Sequence, residues 1–540
     1  MHKTGAQLVR YALEQLGIKH TFGVLGAHNR EIYNELQNSS DITAHLVNQE
    51  ISAVFMADAL SRTSTDGEIG TMLITADAII SQGIAEAFIS GIPLLIIAGG
   101  PAASLQADGI DPQQLLQPVT KACFKVSEFE EIVSTIFKAQ QIAIRGKPGP
   151  VCVEIPMDLQ VLHEELAQPL PIYLSAANQP EINADELDVT AQKLIDAKNP
   201  ALLLGWCAVD TSEKVIALAD VLAAPVCTSL AGNGAFPAGH LLHAGLITNP
   251  SVRNALKDCD CLLAIGINSS ELEYLELPEQ VIHLDPAATA SLLYKLQELQ
   301  PKPSRNLALE KSIIKGKADL KEDWLEHNSK GRVNPAVFFD SISKALSNEV
   351  IVVTGHGTHR TLAAELLPIN NPRGFIGPTS FNAMGYCVPA VNAIKLANPD
   401  KQVIGIVGDG AMVINGMEVV TAVREKLGAI YCLFNNSERT ASKNLGHINW
   451  GSFAEALECG YFRIVNNQGI DTIVRRAMET AAQSQPVIME VCIDYSRKTY
   501  YAEHLEKAQQ ARLPSRDKLE LVKRAIVRKI MGSVRQKDSV

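Results

Sequence analysis

The amino-acid sequence predicts an α/β protein of three doubly wound parallel-sheet domains. Short apolar runs alternate with helical patterns from end to end. The runs are continuous rather than alternating, as strands covered by helices on both faces must be. Two stretches without such runs interrupt the series, and 540 residues exceed what one ordinary core holds.

The first series of runs is HTFGVLG, ITAHLV, GTMLIT, PLLIIAGG and PVCVEIP. The second is PALLLGW, APVCTSL, CDCLLAIGI and QVIHLDP, and the third EVIVVTG, QVIGIVGDG, AIYCLFNN and PVIMEVCID. Between them, residues 166–186 are rich in Pro, Ala and Asn, and residues 300–332 form a charged, strand-free connection. The predicted domains are therefore 1–165, 187–300 and 333–497, followed by a tail, 498–540. The first and third are alike in size and style, although the letters hold no repeat strong enough to indicate duplication. In the tail, Leu519, Val522, Ile526 and Ile530 recur at helical spacing opposite Lys518, Lys523, Arg524, Arg528 and Lys529. Such a helix can lie on an anionic membrane, but more often docks on its own protein or a partner subunit, which is the expectation here.

An apolar fraction of 46% with 20% charged residues describes a globular protein, and a net charge of −11 argues against nucleic acid as a partner, since phosphate neutralisation needs a basic surface. No apolar run reaches the roughly 18 residues of a membrane span, and MHKTGAQLVRYALEQLG reads as an amphipathic helix rather than a signal peptide, so a cytoplasmic protein is expected. The ten cysteines are scattered through apolar runs. The one close pair, Cys259 and Cys261, is expected to alternate along a strand, which suits neither zinc nor a disulfide.

The stretch VGDGAMVINGMEVVTAVREKLGAIYCLFNN, Val407 to Asn436, concentrates the chemistry. Gly408-Asp409-Gly410 follows a predicted strand. The next helix is expected to carry Met417, Val420, Val423 and Leu427 on one face and to stop at Gly428. A second strand then ends at Asn435-Asn436. In a right-handed strand–helix–strand unit both carboxyl ends lie at one edge, so Asp409 and Asn436 converge. A carboxylate and an amide oxygen are hard ligands suited to Mg²⁺, and Gly410 offers backbone N–H to a phosphate. G-x-G-x-x-G and the P-loop pattern are both absent, so the unit reads as a clamp for a magnesium diphosphate rather than a dinucleotide fingerprint.

GDG followed by NN at this distance resembles the magnesium and cofactor motif of thiamine diphosphate enzymes. The surroundings, FNAMGYCVPAVNAIKLANPDKQVIGIVGDG, GPVCVEIPMDLQ and GNGAFPAGHLLHAGL, are similar to the acetolactate synthase branch over some 500 residues. The resemblance implies Mg²⁺ ligation by Asp409, Asn436 and the Glu438 carbonyl. It also implies cofactor contacts from Gly357, Thr358, His359, Asn382, Met384, Gly408, Gly410, Ala411 and Asn436. Met384 stands where the family places the bulky residue that folds the two cofactor rings together. Glu50, in AHLVNQEISAVFMADALSR, matches the catalytic glutamate that hydrogen-bonds N1′ of the aminopyrimidine, a role that wants a buried carboxylate in an apolar wall. In the family that glutamate faces the cofactor held by the other subunit, which implies a homodimer or a dimer of dimers.

The sequence also departs from the family. The first-domain Gly-Pro-Gly-Ala-Thr-Asn loop is replaced by Ala76-Asp77-Ala78. The segment after NN is short, as in sulfopyruvate and phosphonopyruvate decarboxylases, and Asp108 stands where the family has a glutamine. These changes bear on substrate, for which Gly26, Ala27, Asp77, Arg439 and Lys443 are the candidate contacts. The middle domain carries no dinucleotide fingerprint, so FAD is not expected. The implied reaction decarboxylates a 2-oxo acid and transfers the acyl carbanion to a second carbonyl compound. The alternatives are simple decarboxylation to an aldehyde, and a thiamine diphosphate-binding paralogue with a partner or regulatory role.

Overall fold

A computed structural model of the protein describes residues 2–75, 80–102, 112–166, 168–174, 183–268, 271, 277–299, 305–435 and 448–512. Three parallel sheets form its three domains. The N-terminal sheet runs, across its width, Thr43–Leu46, His20–Gly23, Gly70–Thr75, Leu94–Gly100, Pro150–Pro156 and Ala122–Lys125. The C-terminal sheet runs Phe375–Ile376, Ile351–Thr354, Val403–Gly408, Ile430–Phe434, Val487–Val491 and Gly460–Ile464. Numbered from each domain's own first parallel strand, both read 2-1-3-4-6-5. The likeness between first and third domains that the letters only suggest is thus explicit in their topology. The middle sheet, His243–Leu246, Val226–Thr228, Pro200–Leu204, Cys261–Ile265 and Val281–Leu284, has the order 3-2-1-4-5.

Every apolar run read as a strand contains one. The strands missed are His2–Thr4, Ala122–Lys125, His163–Glu165, His243–Leu246, Phe375–Ile376 and Gly460–Ile464. Two of these correct specific expectations. The first residues do not begin the helix: His2–Thr4 pairs antiparallel with His163–Glu165. The helix is Gly5–Gln15, started by a capping box in which the Thr4 hydroxyl accepts from Gln7 N at 3.2 Å and Gln7 Oε1 accepts from Thr4 N at 3.1 Å. Among its described residues, 305–332, the connection is strand-free but not merely a spacer, because helix Leu307–Leu325 buries Ile313, Leu320 and Trp324. All ten cysteines are free, and Cys261 opens its strand with Cys259 just before it, so the pair does not alternate along one strand. The basic stretch of the tail lies outside the described residues, which end in helix Tyr500–Arg512. Among the described residues no helix is long and apolar enough to cross a membrane.

Helix Glu50–Thr63 is the structural centre of the chain. From Ser52 to Leu60 every side chain is buried, because the helix lies between its own sheet and helix Cys387–Ala397 of the C-terminal domain. Phe55 meets Tyr386 edge to face with centroids 5.4 Å apart. Three buried charges share this seam. Arg62 Nε donates to Asp58 Oδ1 at 2.6 Å, and Tyr386 OH donates to the same oxygen at 2.6 Å. Arg62 Nη2 lies 3.8 Å from Glu86, and its guanidinium covers the Trp206 ring of the middle domain at 5.3 Å. Burial opposes the Arg62 charge, but the Asp58 carboxylate outweighs it and holds the group protonated.

Glu86, on helix Ser81–Ser90, accepts four successive backbone N–H groups from the C-terminal domain: Thr379 and Ser380 at 3.1 Å each, Phe381 at 2.8 Å and Asn382 at 2.9 Å. At the far side of the domain the C-terminal helix is anchored by Glu365, whose Oε1 accepts from Tyr501 N at 2.8 Å. Burial pushes the Glu365 carboxyl up to about 7.

Two predictions follow from these buried groups. Arg62→Met leaves Asp58 and Glu86 without their cation and is expected to cost about 3–5 kcal/mol in urea unfolding. Glu365 has a folded pKa above its unfolded value of 4.5, so its contribution is fully present below about pH 4.5 and is lost as pH rises through about 7. Wild type is expected to lose roughly 3 kcal/mol relative to Glu365→Gln between pH 4.5 and 8, read as the difference in their urea midpoints.

Candidate active site

In the C-terminal sheet the chain leaves strand Ile351–Thr354 towards one edge and returns on its other side as Val403–Gly408. The crevice at the carboxyl ends of such a pair is where an open α/β sheet accepts ligands. Gly357 and helix Thr358–Leu366 follow the first strand, and helix Asp409–Asn415 follows the second. His359 joins the two loops. Its ring is buried beneath both Gly357 and Gly408: a Cβ on Gly408 would stand 3.0 Å from Cε1, and one on Gly357 2.6 Å from the same atom. Gly357 moreover has φ 144°, a conformation that side chains other than hydrogen disfavour. Burial drives the His359 pKa down to about 3, so the imidazole is neutral, and its Nε2 is buried without a hydrogen-bond partner. Asp409 opens its helix with Oδ1 accepting from Gly410 N at 2.9 Å. The space beside Gly410 is open, with nothing within 4 Å of where a Cβ would lie, while Ala411 is buried.

Strand Ile430–Phe434 ends beside Val403–Gly408 as the sequence predicts. Asn435 follows it, with Nδ2 donating to Glu490 Oε1 at 2.7 Å. Asn436, Glu438, Arg439 and Lys443 lie outside the described residues. The helical expectation between the two strands is corrected. Helix Asp409–Asn415 gives way to a 3₁₀ turn at Gly416–Glu418, and helix Val419–Arg424 follows. Of the expected face, Leu427 is buried and Val423 packs half-buried against the core, but Met417 is exposed, and Val419 and Ala422 are buried instead. The left-handed residue after the last helix is Lys426, φ 52°, and not Gly428. A straight helix through Gly416 would carry one continuous stripe, and the 3₁₀ turn rotates it.

Asn382 is held in the left-handed region at φ 61°. Its Oδ1 accepts from Arg360 Nη2 at 2.9 Å and lies 3.0 Å from His356 Nδ1, while its backbone rests on Glu86. Arg360 is buried, also donates to the Pro378 carbonyl, and keeps its Nε without a partner. Gly357, Thr358, Asn382, His356 and Arg360 line one side of a cleft of about 570 Å³, faced across the domain junction by Ser229 and Glu271. Sequence reasoning missed His356, Arg360 and Glu86, since nothing in HGTHRTLAAEL or QGIAEAF distinguishes a buried charge from a solvated one.

The N-terminal sheet has the equivalent crevice between His20–Gly23 and Gly70–Thr75. Gly26 and Ala27 follow the first strand, and Gly26, whose N–H donates to Asn29 Oδ1 at 2.8 Å, backs onto Thr75. Asp77 belongs to the loop after Thr75, which with Asp108 lies outside the described residues. Glu50 begins its helix only half-buried, not buried as its expected role asks, although the next residue, Ile51, already packs against Gly83 of helix Ser81–Ser90. The preceding residue pair still ties to the other domain: Asn48 Nδ2 donates to the Met417 carbonyl at 3.2 Å. Met384 is 43% exposed, so it is not a core methionine.

Family models for thiamine pyrophosphate enzymes match all three domains: the N-terminal binding domain over residues 3–122, the central domain over 187–292 and the C-terminal binding domain over 355–491. The chain belongs to the thiamine pyrophosphate enzyme family. It is similar to the acetolactate synthase large subunit of Haemophilus influenzae, 28% identical over 80% of this chain and 82% of that one. The isozyme 1 large subunit of Escherichia coli is 27% identical over the same shares, and a probable large subunit of Methanocaldococcus jannaschii is 27% identical over 91% and 92%. These matches place the chain in the acetolactate synthase-like branch. The residues present fit a bound diphosphate: an orphaned buried nitrogen, open space at Gly410 and the Asp409 carboxylate at the strand end. Gly357→Ala is expected to displace His359 and weaken thiamine diphosphate binding roughly tenfold or more, measured by equilibrium titration of the purified chain.

Proposed function

We propose that this chain is a thiamine diphosphate- and Mg²⁺-dependent enzyme that decarboxylates a 2-oxo acid and joins the remaining acyl unit to a second carbonyl compound. The observation that carries this reading is its similarity to acetolactate synthase large subunits, which spans all three domains, together with Glu50 and Asp409 at the places the motif resemblance assigns them. When bound, the cofactor supplies an acidic carbon that adds to the 2-oxo acid and accepts the electron pair left by CO₂.

This chain's residues do the rest. Asp409, with Asn436 and the Glu438 carbonyl, would hold Mg²⁺ against the diphosphate, an oxygen-rich set of the kind Mg²⁺ prefers. The backbone N–H of Thr358 at its helix start would bind a phosphate oxygen, and that of Gly410, which donates to Asp409 Oδ1 in this structure, would have to be freed to bind another. Neutral His359 sets the spacing of the two loops without adding charge. Glu50 would hydrogen-bond N1′ of the aminopyrimidine, and Met384 would pack against the cofactor rings. Gly26, Ala27 and Asp77 border the substrate from the N-terminal crevice, and Arg439 or Lys443 meets its carboxylate.

The active unit in this reading is a homodimer or a dimer of dimers, with Glu50 entering the site of a second copy. Exposed Phe381, Met384, Val413, Ile414 and Met417 support it, because these apolar side chains cluster around the Asp409 helix where a second copy would cover them.

Asp409→Ala is expected to abolish cofactor binding. Glu50→Gln should keep binding while hydrogen–deuterium exchange at the cofactor C2 falls about 10²–10⁴-fold. Unchanged exchange in Glu50→Gln would remove the assigned role. Product analysis with pyruvate and bulkier 2-oxo acids tests the acceptor: a hydroxyketo acid supports carboligation, and aldehyde alone overturns it in favour of simple decarboxylation.

A further inference from the structure

A second cavity, of about 250 Å³, opens between the middle and C-terminal domains and takes no part in the reaction above. Strand His243–Leu246, helix Leu307–Leu325, helix Pro335–Ser343 and the end of helix Thr358–Leu366 enclose it. Lys317 supplies its charge. The Nζ donates to the Ala238 carbonyl at 2.9 Å and lies 3.2 Å from His243 Nδ1. Of the carboxyl groups along the same wall, Asp340 is engaged by Lys321 and Lys344, while Glu365 accepts from the Tyr501 N–H through Oε1 and keeps Oε2 buried without a partner, burial favouring its neutral form below about pH 7. Among the described residues, then, Lys317 is an ammonium drawn into the protein with no ion-pair partner, and burial lowers its pKa to about 8.

Two neutral groups around it are donors in need of an acceptor, while Asn249 Oδ1 in the same lining is buried without a donor. Burial brings the His243 pKa down to about 3, so the ring is neutral. With Nδ1 turned to the ammonium, the proton sits on Nε2, which is buried without a partner. Asn233 Nδ2 is likewise buried and unpartnered, and both residues are more than nine-tenths buried. Opposite these donors the wall is apolar, formed by Leu246, Leu320 and Leu367. One cation, two unpaired N–H groups and an aliphatic wall describe a receptor for an anion with a short hydrocarbon tail. A chloride would leave the apolar wall uncovered, and a phosphate dianion would exceed the single positive charge.

We propose that this cavity is a binding site for a small aliphatic monocarboxylate, separate from the cofactor crevice. The test uses the full-length chain without cofactor and sodium butyrate as probe, against sodium chloride and sodium phosphate at matched ionic strength. Butyrate is expected to raise the thermal midpoint saturably, and chloride and phosphate are not. Lys317→Met is expected to weaken the apparent butyrate affinity about tenfold or more while thiamine diphosphate titrates as in wild type. Asn233→Asp, isosteric but replacing an N–H donor with an anionic acceptor, serves the same purpose if Lys317→Met does not fold. Butyrate acting no better than chloride or phosphate on wild type, or equally on wild type and a folded variant, would overturn the assignment.

Discussion

The burial of Glu86 constrains everything around the candidate site. An ionised carboxylate cannot be taken out of water without partners, and this one finds four of them in the backbone of residues 379–382 of another domain. A shift of the two domains by even an ångström would break several of those bonds together. The same loop carries Asn382 into a left-handed backbone and leads directly to Met384. Arg62 extends the constraint by joining Asp58 and Glu86 of one domain to Tyr386 and Trp206 of the other two. The three domains are thus locked in register by charges that tolerate no loosening, and the cofactor loops inherit that rigidity.

The second organising feature is the shared strand order of the outer sheets. A 2-1-3-4-6-5 order has one place where successive crossovers diverge, and in each sheet that place falls between its first and third strands. In the C-terminal sheet the loops there hold Gly357 and Asp409, and in the N-terminal sheet they hold Gly26 and residues 76–79. The same topology therefore presents two crevices, with Gly357 and Asp409 at one and Gly26 at the other. The chemistry resides in loop residues, and the fold supplies only the place.

Legibility in the sequence follows the physics of burial. Central strands, covered on both faces, must be apolar throughout, and all of them stand out in the letters. Ala122–Lys125, His243–Leu246, Phe375–Ile376 and Gly460–Ile464 went unread because all are sheet edges, and a polar residue or glycine breaks the apolar run, as Lys125, His243, Gly245 and Arg463 do, or the strand has only two residues, as at Phe375–Ile376. The GDG turn and the approach of Ile430–Phe434 to it were legible because spacing within one strand–helix–strand unit fixes both. The inward face of the segment between them was not, since the 3₁₀ turn at Gly416 rotates it. Glu86, Arg62 and Arg360 were invisible for a different reason. Their partners are backbone groups or residues up to hundreds of positions away, and a charged letter does not say whether water or a distant domain will solvate it.

The antiparallel pair of His2–Thr4 with His163–Glu165 has a consequence for how the chain can be rearranged. It brings together two segments some 160 residues apart, so the N-terminal sheet and its helices form a loop closed by its own hydrogen bonds. A unit whose ends meet makes few demands on what is attached to them. Grafting, insertion and circular permutation become open routes for this domain, with new ends at surface loops and the old ends joined across a gap the strands have already closed.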